Sequence, residues 1–209
     1  MSVRYIYIMI SRTRTGFGRL LRYVGRMQYN HSSISLDEDF KELYAFSRPK
    51  HHALFTGRLV RETLDRYTLK KGHMIPVTVF QLQITQEQHD NIRCMIEEIS
   101  QDPEYMYNLF SVLTYPITRG FETYKSYNCT EFVAHTLKEL NFPLEKPAYS
   151  YKPDDFLQIL SPYIVYQGDI KGYMRCLDTD EQYFEHINIH MILENIMGLF
   201  RIFGRTYFS

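Results

Sequence analysis

The stretch HMIPVTVFQLQITQEQHDNIRCMIEEIS, from His73 to Ser100, changes period at a single residue. Up to Ile84 it alternates like a strand. From Thr85 the apolar residues Ile92, Met95, Ile96 and Ile99 recur at helical spacing. TQEQ is a capping box at that junction, with Thr85 as N-cap and Gln88 at the third helical position. A chain that switches from extended to helical without a linker must bury both elements in one unit. VRYIYIMIS (Val3 to Ser11) reads as a further strand. HSSISL (His31 to Leu36), the acidic turn DEDF and KELYAFS (Lys41 to Ser47) read as a hairpin. Phe17, Leu20, Leu21 and Val24 predict a short basic helix between these, and RPKHHALFTG reads as a loop. The segment from Tyr105 to Tyr127 is aromatic, broken by Pro116 and Gly120, and reads as irregular. Pro153, Asp154 and Asp155 start a short helix, and PYIVYQGD (Pro162 to Asp169) is a last strand, or two with Tyr173 to Leu177. The expected class is α+β.

The 209 residues suffice for one domain and an appendage. We place the main domain at 1–178 and a C-terminal helical extension at 179–209. In that extension Ile189, Ile192, Ile196, Leu199 and Phe203 form an apolar stripe, expected to pack on the domain or to form a homodimer. His186, His190 and Glu194 share the opposite face and read as its wet side rather than a metal half-site. A hydrophobic fraction of 44% against 23% charged excludes a disordered chain. Equal numbers of basic and acidic residues, 24 each, argue against nucleic acid. No apolar run reaches the ~20 residues of a membrane span, and the N-terminal run lacks a cleavage site. Cys94, Cys129 and Cys176 are too few and too scattered for a disulfide framework or a zinc site. The expectation is a cytoplasmic chain with reduced thiols, needing no metal or cofactor.

One cysteine stands out. In YNCTEFVAHTLKEL, Cys129 precedes Phe132, Val133, Thr136, Leu137 and Leu140, the stripe of a helix. A thiol at a helix N-terminus meets unpaired N–H groups and a partial positive charge, which favour the nucleophilic thiolate. The same position also suits a buried, inert cysteine. A nucleophile needs a base. His135, on the same helix, points to another side; His51 and His52 lie in a loop; His31 opens a strand.

YNHSSISLDEDFKELYAFSR followed by YNCTEFVAHTL resembles the circularly permuted branch of the NlpC-type papain-like cysteine hydrolases, found widely in bacteria. There the His strand precedes the Cys helix, as His31 precedes Cys129 here. The resemblance spans Val3 to Gly172. It implies a bent antiparallel sheet packed on the Cys-bearing helix, with Cys129 as nucleophile and His31 as general base. It implies a third, orienting residue from the strand after His31, for which Tyr44 and Glu42 are the candidates. Tyrosine departs from the polar residues usual at that position. The Cys129 N–H is the expected oxyanion donor, with help from Asn128 or Tyr127. Arg48, just past the second strand beside Ser47, would meet a substrate carboxylate or be a solvated loop residue. The implied reaction is hydrolysis of an amide, peptide or ester through an acyl-thioester on Cys129. Acyl transfer, as in lecithin–retinol acyltransferase relatives, and a non-catalytic ligand-binding module are the alternatives.

Overall fold

Residues 4–11 pair on both sides, and that double pairing organises the molecule. The computed structural model describes residues 3–69, 73–174 and 181–208. Strand β1 (Arg4–Ser11) is followed by helix α1 (Gly16–Gly25), then β2 (His31–Ser35), β3 (Leu43–Ser47), β4 (Arg58–Arg61) and the short α2 (Leu64–Thr68). Next come β5 (Pro76–Ile84), α3 (Gln86–Gln101), β6 (Met106–Tyr107), α4 (Leu109–Thr118), β7 (Ser126–Tyr127) and α5 (Cys129–Glu139). The chain continues through α6 (Pro153–Ile159), β8 (Ile164–Asp169), α7 (Ile170–Tyr173) and α8 (Ile189–Phe208).

Six strands form an antiparallel sheet in the order β4-β3-β2-β1-β5-β8. Strand alternation sends Ile6, Ile8 and Ile10 to one face and Tyr7 and Met9 to the other. Both faces are covered, which is why Ile6 through Ser11 are all buried. On the first face Ile34, Phe46, Phe80 and Leu82 meet Ile92 and Ile96 of α3 and Phe132, Val133 and Leu137 of α5. Phe132 is fully buried and its ring centroid lies 5.5 Å from that of Phe46. On the second face Met9, Leu43, Val77 and Val79 are closed over by Phe40, Tyr67 and Ile170.

The expected strands and hairpin form, and the Thr85 capping box closes as read: Thr85 Oγ1 accepts from Gln88 N at 3.1 Å and Gln88 Oε1 accepts from Thr85 N at 3.0 Å. Three points differ. The loop 48–57 is followed by β4, a four-residue edge strand absent from the expected elements. The aromatic segment contains α4, ten residues long, because Pro116 falls in its last turn rather than its middle. That helix stops at Arg119, in the left-handed region, and Gly120 follows at φ 88 with its Cα against the Tyr149 carbonyl; an added Cβ would lie 2.3 Å from that oxygen. Ile170–Tyr173 is a helical turn, not the start of a strand; Cys176 and residues to 177 of that reading lie outside the described residues.

The C-terminal helix lies on the domain. Asn195 Oδ1 accepts from Phe55 N at 3.0 Å, Arg205 donates to the Glu104 carbonyl at 2.6 Å, and Ile202 packs with Met106 and Leu109. Its buried face, however, is Met191, Gly198 and Ile202; the expected stripe of Ile189, Ile192, Ile196, Leu199 and Phe203 faces outward. Among the described residues no helix is long and apolar enough to cross a membrane.

The seating of α5 on the sheet can be tested through Phe132. Phe132→Ala should lower the unfolding free energy by about 3–5 kcal/mol, read from urea midpoints. A loss below about 1 kcal/mol would mean the helix is not packed as described.

Candidate active site

The local sequence fixes where the thiol sits. Asn128 is the N-cap of α5, in extended conformation, and its Oδ1 accepts from Thr130 N and Glu131 N, each at 2.9 Å. Glu131 returns the bond, accepting from Asn128 N at 2.7 Å. This capping box is buried and leaves Cys129 as the first helical residue. The cap oxygen does not take the Cys129 N–H, which lies in the positive end of the helix.

His31 opens β2, and β1 fixes it: Ser11 is its partner in the β1–β2 register. The imidazole lies close enough to the Cys129 sulfur that each shifts the acidity of the other. Its Nε2 contacts both oxygens of Glu62, at 3.0 and 2.9 Å, so Nδ1 is the nitrogen left for the thiol. The side chains of His31 and Glu62 are only 12% and 2% exposed. The Tyr67 hydroxyl donates to Glu62 Oε2 and lies 3.3 Å from Ser33 Oγ. Glu62 N donates to the Leu43 carbonyl at 2.7 Å, which extends the β3–β4 pairing to the carboxylate-bearing residue.

The charges follow from this packing. Burial pushes the Glu62 carboxyl up, but the His31 charge and the bonds from His31 and Tyr67 outweigh it and hold it low. Burial pushes the His31 imidazole down, and the Glu62 charge, with the bonds to Cys129 and Glu62, more than reverses that. The net direction for His31 is up. Burial likewise pushes the Cys129 thiol up; the His31 bond and charge, then the Ser32 N–H, bring it below its usual value. The arrangement therefore favours a thiolate–imidazolium pair backed by a carboxylate.

A cavity of about 280 Å³ reaches His31 and Glu62. Phe17, Leu21, Phe46, Leu54, Phe55 and Leu109 give it apolar walls. Tyr107 lines it too, and burial, then the nearby Cys129 and Glu131, push its hydroxyl pKa well up. Cys129 is 5% exposed and does not itself line the cavity, whereas His31 and Tyr107 do.

Of the residues singled out in the sequence, Cys129 and His31 meet. The two candidates for the orienting group do not join them. Tyr44 pairs with Ile34, three residues along β2, and its charged neighbours are Glu42, Arg61, Arg93 and Glu97. Glu42 is held by both terminal nitrogens of Arg93, at 2.8 and 2.9 Å. Glu62, the residue after β4, contacts His31 instead. Its stretch, just past the loop RPKHHALFTG, carried no strand reading; its one signal is the short L-V pair before RE in GRLVRE. Asn128 is committed to the cap, and the Tyr127 ring is stacked with Tyr105 and His135. Arg48 lines the cavity, donates to the His51 carbonyl at 2.8 Å and lies over the Phe17 ring. Among the described residues no group of three or more His, Cys, Asp or Glu side chains could hold a metal ion. No family model, curated protein or solved structure matches the chain.

The thiol's lowered pKa gives a pH profile. Alkylation follows the thiolate fraction, which for an ordinary cysteine falls off below about pH 8.5. The Cys129 midpoint should lie lower, so iodoacetamide labelling should persist to lower pH than at an ordinary cysteine. In His31→Ala the downward influences of the imidazole are gone and burial remains, so the midpoint should move above that of a free thiol. Peptide mass spectrometry across pH 6–9 reads both; superimposable profiles for parent and variant would break the assigned pairing.

Proposed function

We propose that the chain is a cysteine-dependent acyl hydrolase of the circularly permuted, papain-like NlpC type. The observation that carries this reading is the buried line Glu62–His31–Cys129, ending on the first residue of α5. The antiparallel sheet under a Cys-bearing helix, with the His strand earlier in the chain, is what such a fold requires.

The Cys129 thiolate attacks the carbonyl carbon of an amide or ester. A C–S bond forms, the carbonyl π pair moves to oxygen, and the oxyanion faces the Cys129 N–H. Collapse of that intermediate breaks the C–N or C–O bond, and the leaving group takes the proton held on His31. Water then attacks the acyl-thioester while His31 takes its proton, and the thiolate departs with the acid released. Glu62 stays ionised throughout; it holds the ring with one nitrogen toward sulfur and stabilises the imidazolium. Tyr67 and the Leu43 carbonyl hold Glu62 in turn. The Tyr107 hydroxyl lies near the sulfur.

The apolar cavity supports an acyl portion that is aliphatic or aromatic, with Arg48 available at the wall for a polar or anionic group. Acyl transfer to a second nucleophile uses the same first half-reaction, and the same cavity favours it equally; free acid against transferred acyl group in the product separates the two. The non-catalytic reading loses its motive, since Glu62 stands where a tyrosine would have been an unsuitable orienter.

A panel of p-nitrophenyl esters and acyl amides tests the reading. Cys129→Ala should abolish turnover and acyl-enzyme formation. Glu62→Gln keeps the size but loses the charge; kcat should drop by about 10²–10⁴-fold with the acyl-enzyme still detectable by mass. Turnover by Cys129→Ala equal to the parent would end the proposal.

A further inference from the structure

Helix α8 turns its less apolar side to the protein. At about 100° per residue, Met191, Asn195, Gly198 and Ile202 form its inner face. Gly198 lets the helix touch the Phe55 backbone; a Cβ there would lie 2.3 Å from the Phe55 oxygen. The outer face carries Ile189, Leu193, Ile196, Met197, Phe200 and Phe203, with Phe200 71% exposed. The charged side chains Glu194, Arg201 and Arg205 are confined to one flank.

This apolar surface extends beyond one helix. The Phe203 ring stands edge-on to Phe110 of α4 at 6.4 Å. Helix α4 packs against both α8 and α1 and exposes Leu113 and Ile117, the latter 88% exposed. Helix α1 exposes Leu20 and Tyr23. Leu20, Leu54 and Leu113 are at once exposed and part of the cavity wall, so the cavity that reaches His31 opens within this surface.

Its charge is one-sided in a chain whose net charge is zero. Helix α4 has no Asp, Glu, Lys or Arg; α1 has Arg19 and Arg22; α8 has Arg201 and Arg205 against the single Glu194. Exposed Arg12 and Arg14 lead into α1, and neither they nor Arg19 has an acidic partner among the described residues. A two-fold contact with a second copy would set this patch against itself, arginines included. An anionic surface would instead pair with them.

We propose that α1, α4 and α8 dock this face on an anionic lipid bilayer, with the cavity mouth turned toward the headgroups. The apolar side chains of such a face enter the headgroup–acyl boundary, and the exposed Arg12, Arg14, Arg19 and Arg201 meet the lipid charge, Arg22 and Arg205 being bonded to the protein. The docking does not depend on the hydrolase reading.

Co-sedimentation of the full chain with extruded vesicles tests it, using phosphatidylcholine alone and phosphatidylcholine mixed with phosphatidylglycerol. Binding to the mixed vesicles should be about tenfold or more tighter, and high salt should weaken it. Leu193→Glu with Phe200→Glu should reduce it by about a hundredfold. Arg14→Glu with Arg19→Glu, at exposed positions away from that helix, should abolish the preference for anionic vesicles. Circular dichroism and Cys129 alkylation, measured separately, report whether each variant is folded and let the two proposals fail independently. Absent binding, equal binding to both vesicles, or indifference to both variant pairs overturns the proposal. So does a parent dimer in sedimentation equilibrium that the Leu193/Phe200 variant dissociates, because the face would then belong to a second copy.

Discussion

A carboxylate held out of water must be paired, and Glu62 is 3% exposed. Its partners come from three separate elements: His31 from the start of β2, Tyr67 from α2, and the Leu43 carbonyl from β3 at its own N–H. Removing a partner from a buried ion pair typically costs about 3–5 kcal/mol, since the remaining charge stays stranded. That penalty pins the β3–β4 hairpin and α2 to the first strand of the site. Arg66, on α2, extends the tie by donating to the carbonyls of Arg48 and Pro49, at 2.7 and 3.0 Å. The loop that follows β3 is thus anchored by the same short helix that carries Tyr67. Orientation of the imidazole and the shape of the cavity wall are one packing problem.

What could be read from the chain was what is encoded locally. The Thr85 cap is written in four residues, and the strand patterns of Val3–Ser11 and His73–Ile84 need only their own alternation. Cys129 and His31 were paired by the family resemblance; a helix N-terminus and a strand start, taken alone, also suit an inert thiol and a plain strand histidine. Glu62 was not legible. It follows a strand of only four residues with Arg at both ends, itself preceded by a loop rich in His, Pro and Lys, so no periodicity rises above the background. Its role exists only because β4 folds back on β3, a long-range fact. Tyr44 failed as the orienter because the β2–β3 pairing aligns it with Ile34, while His31 opens the strand three residues earlier. The α8 stripe misled for a similar reason. Five apolar residues at helical spacing announce a face that avoids water, and nothing in their spacing says whether protein covers it.

The interior and the surface therefore divide the apolar content in an unusual way. The two faces of the sheet take Ile6, Ile8, Ile10, Met9 and Val79 completely. The three helices around the cavity mouth keep large side chains in solvent instead. Arg22 connects these layers: it donates to the Thr13 carbonyl and to Asn30 Oδ1, each at 2.6 Å, and so ties α1 to the residue before His31. Movement of α1 at the mouth would be felt at the base of the imidazole strand.

The order of the parts along the chain has a consequence for synthesis. The segment from β1 to the end of α2 holds both the imidazole and its carboxylate, and β1 to β4 pair with their neighbours in the chain, contacts of short sequence separation. The sulfur arrives later, on α5, and its acidity is a property it acquires only when that helix is seated. An incomplete or misassembled chain would then carry a thiol of ordinary acidity, because the imidazole that lowers it is not yet beside it.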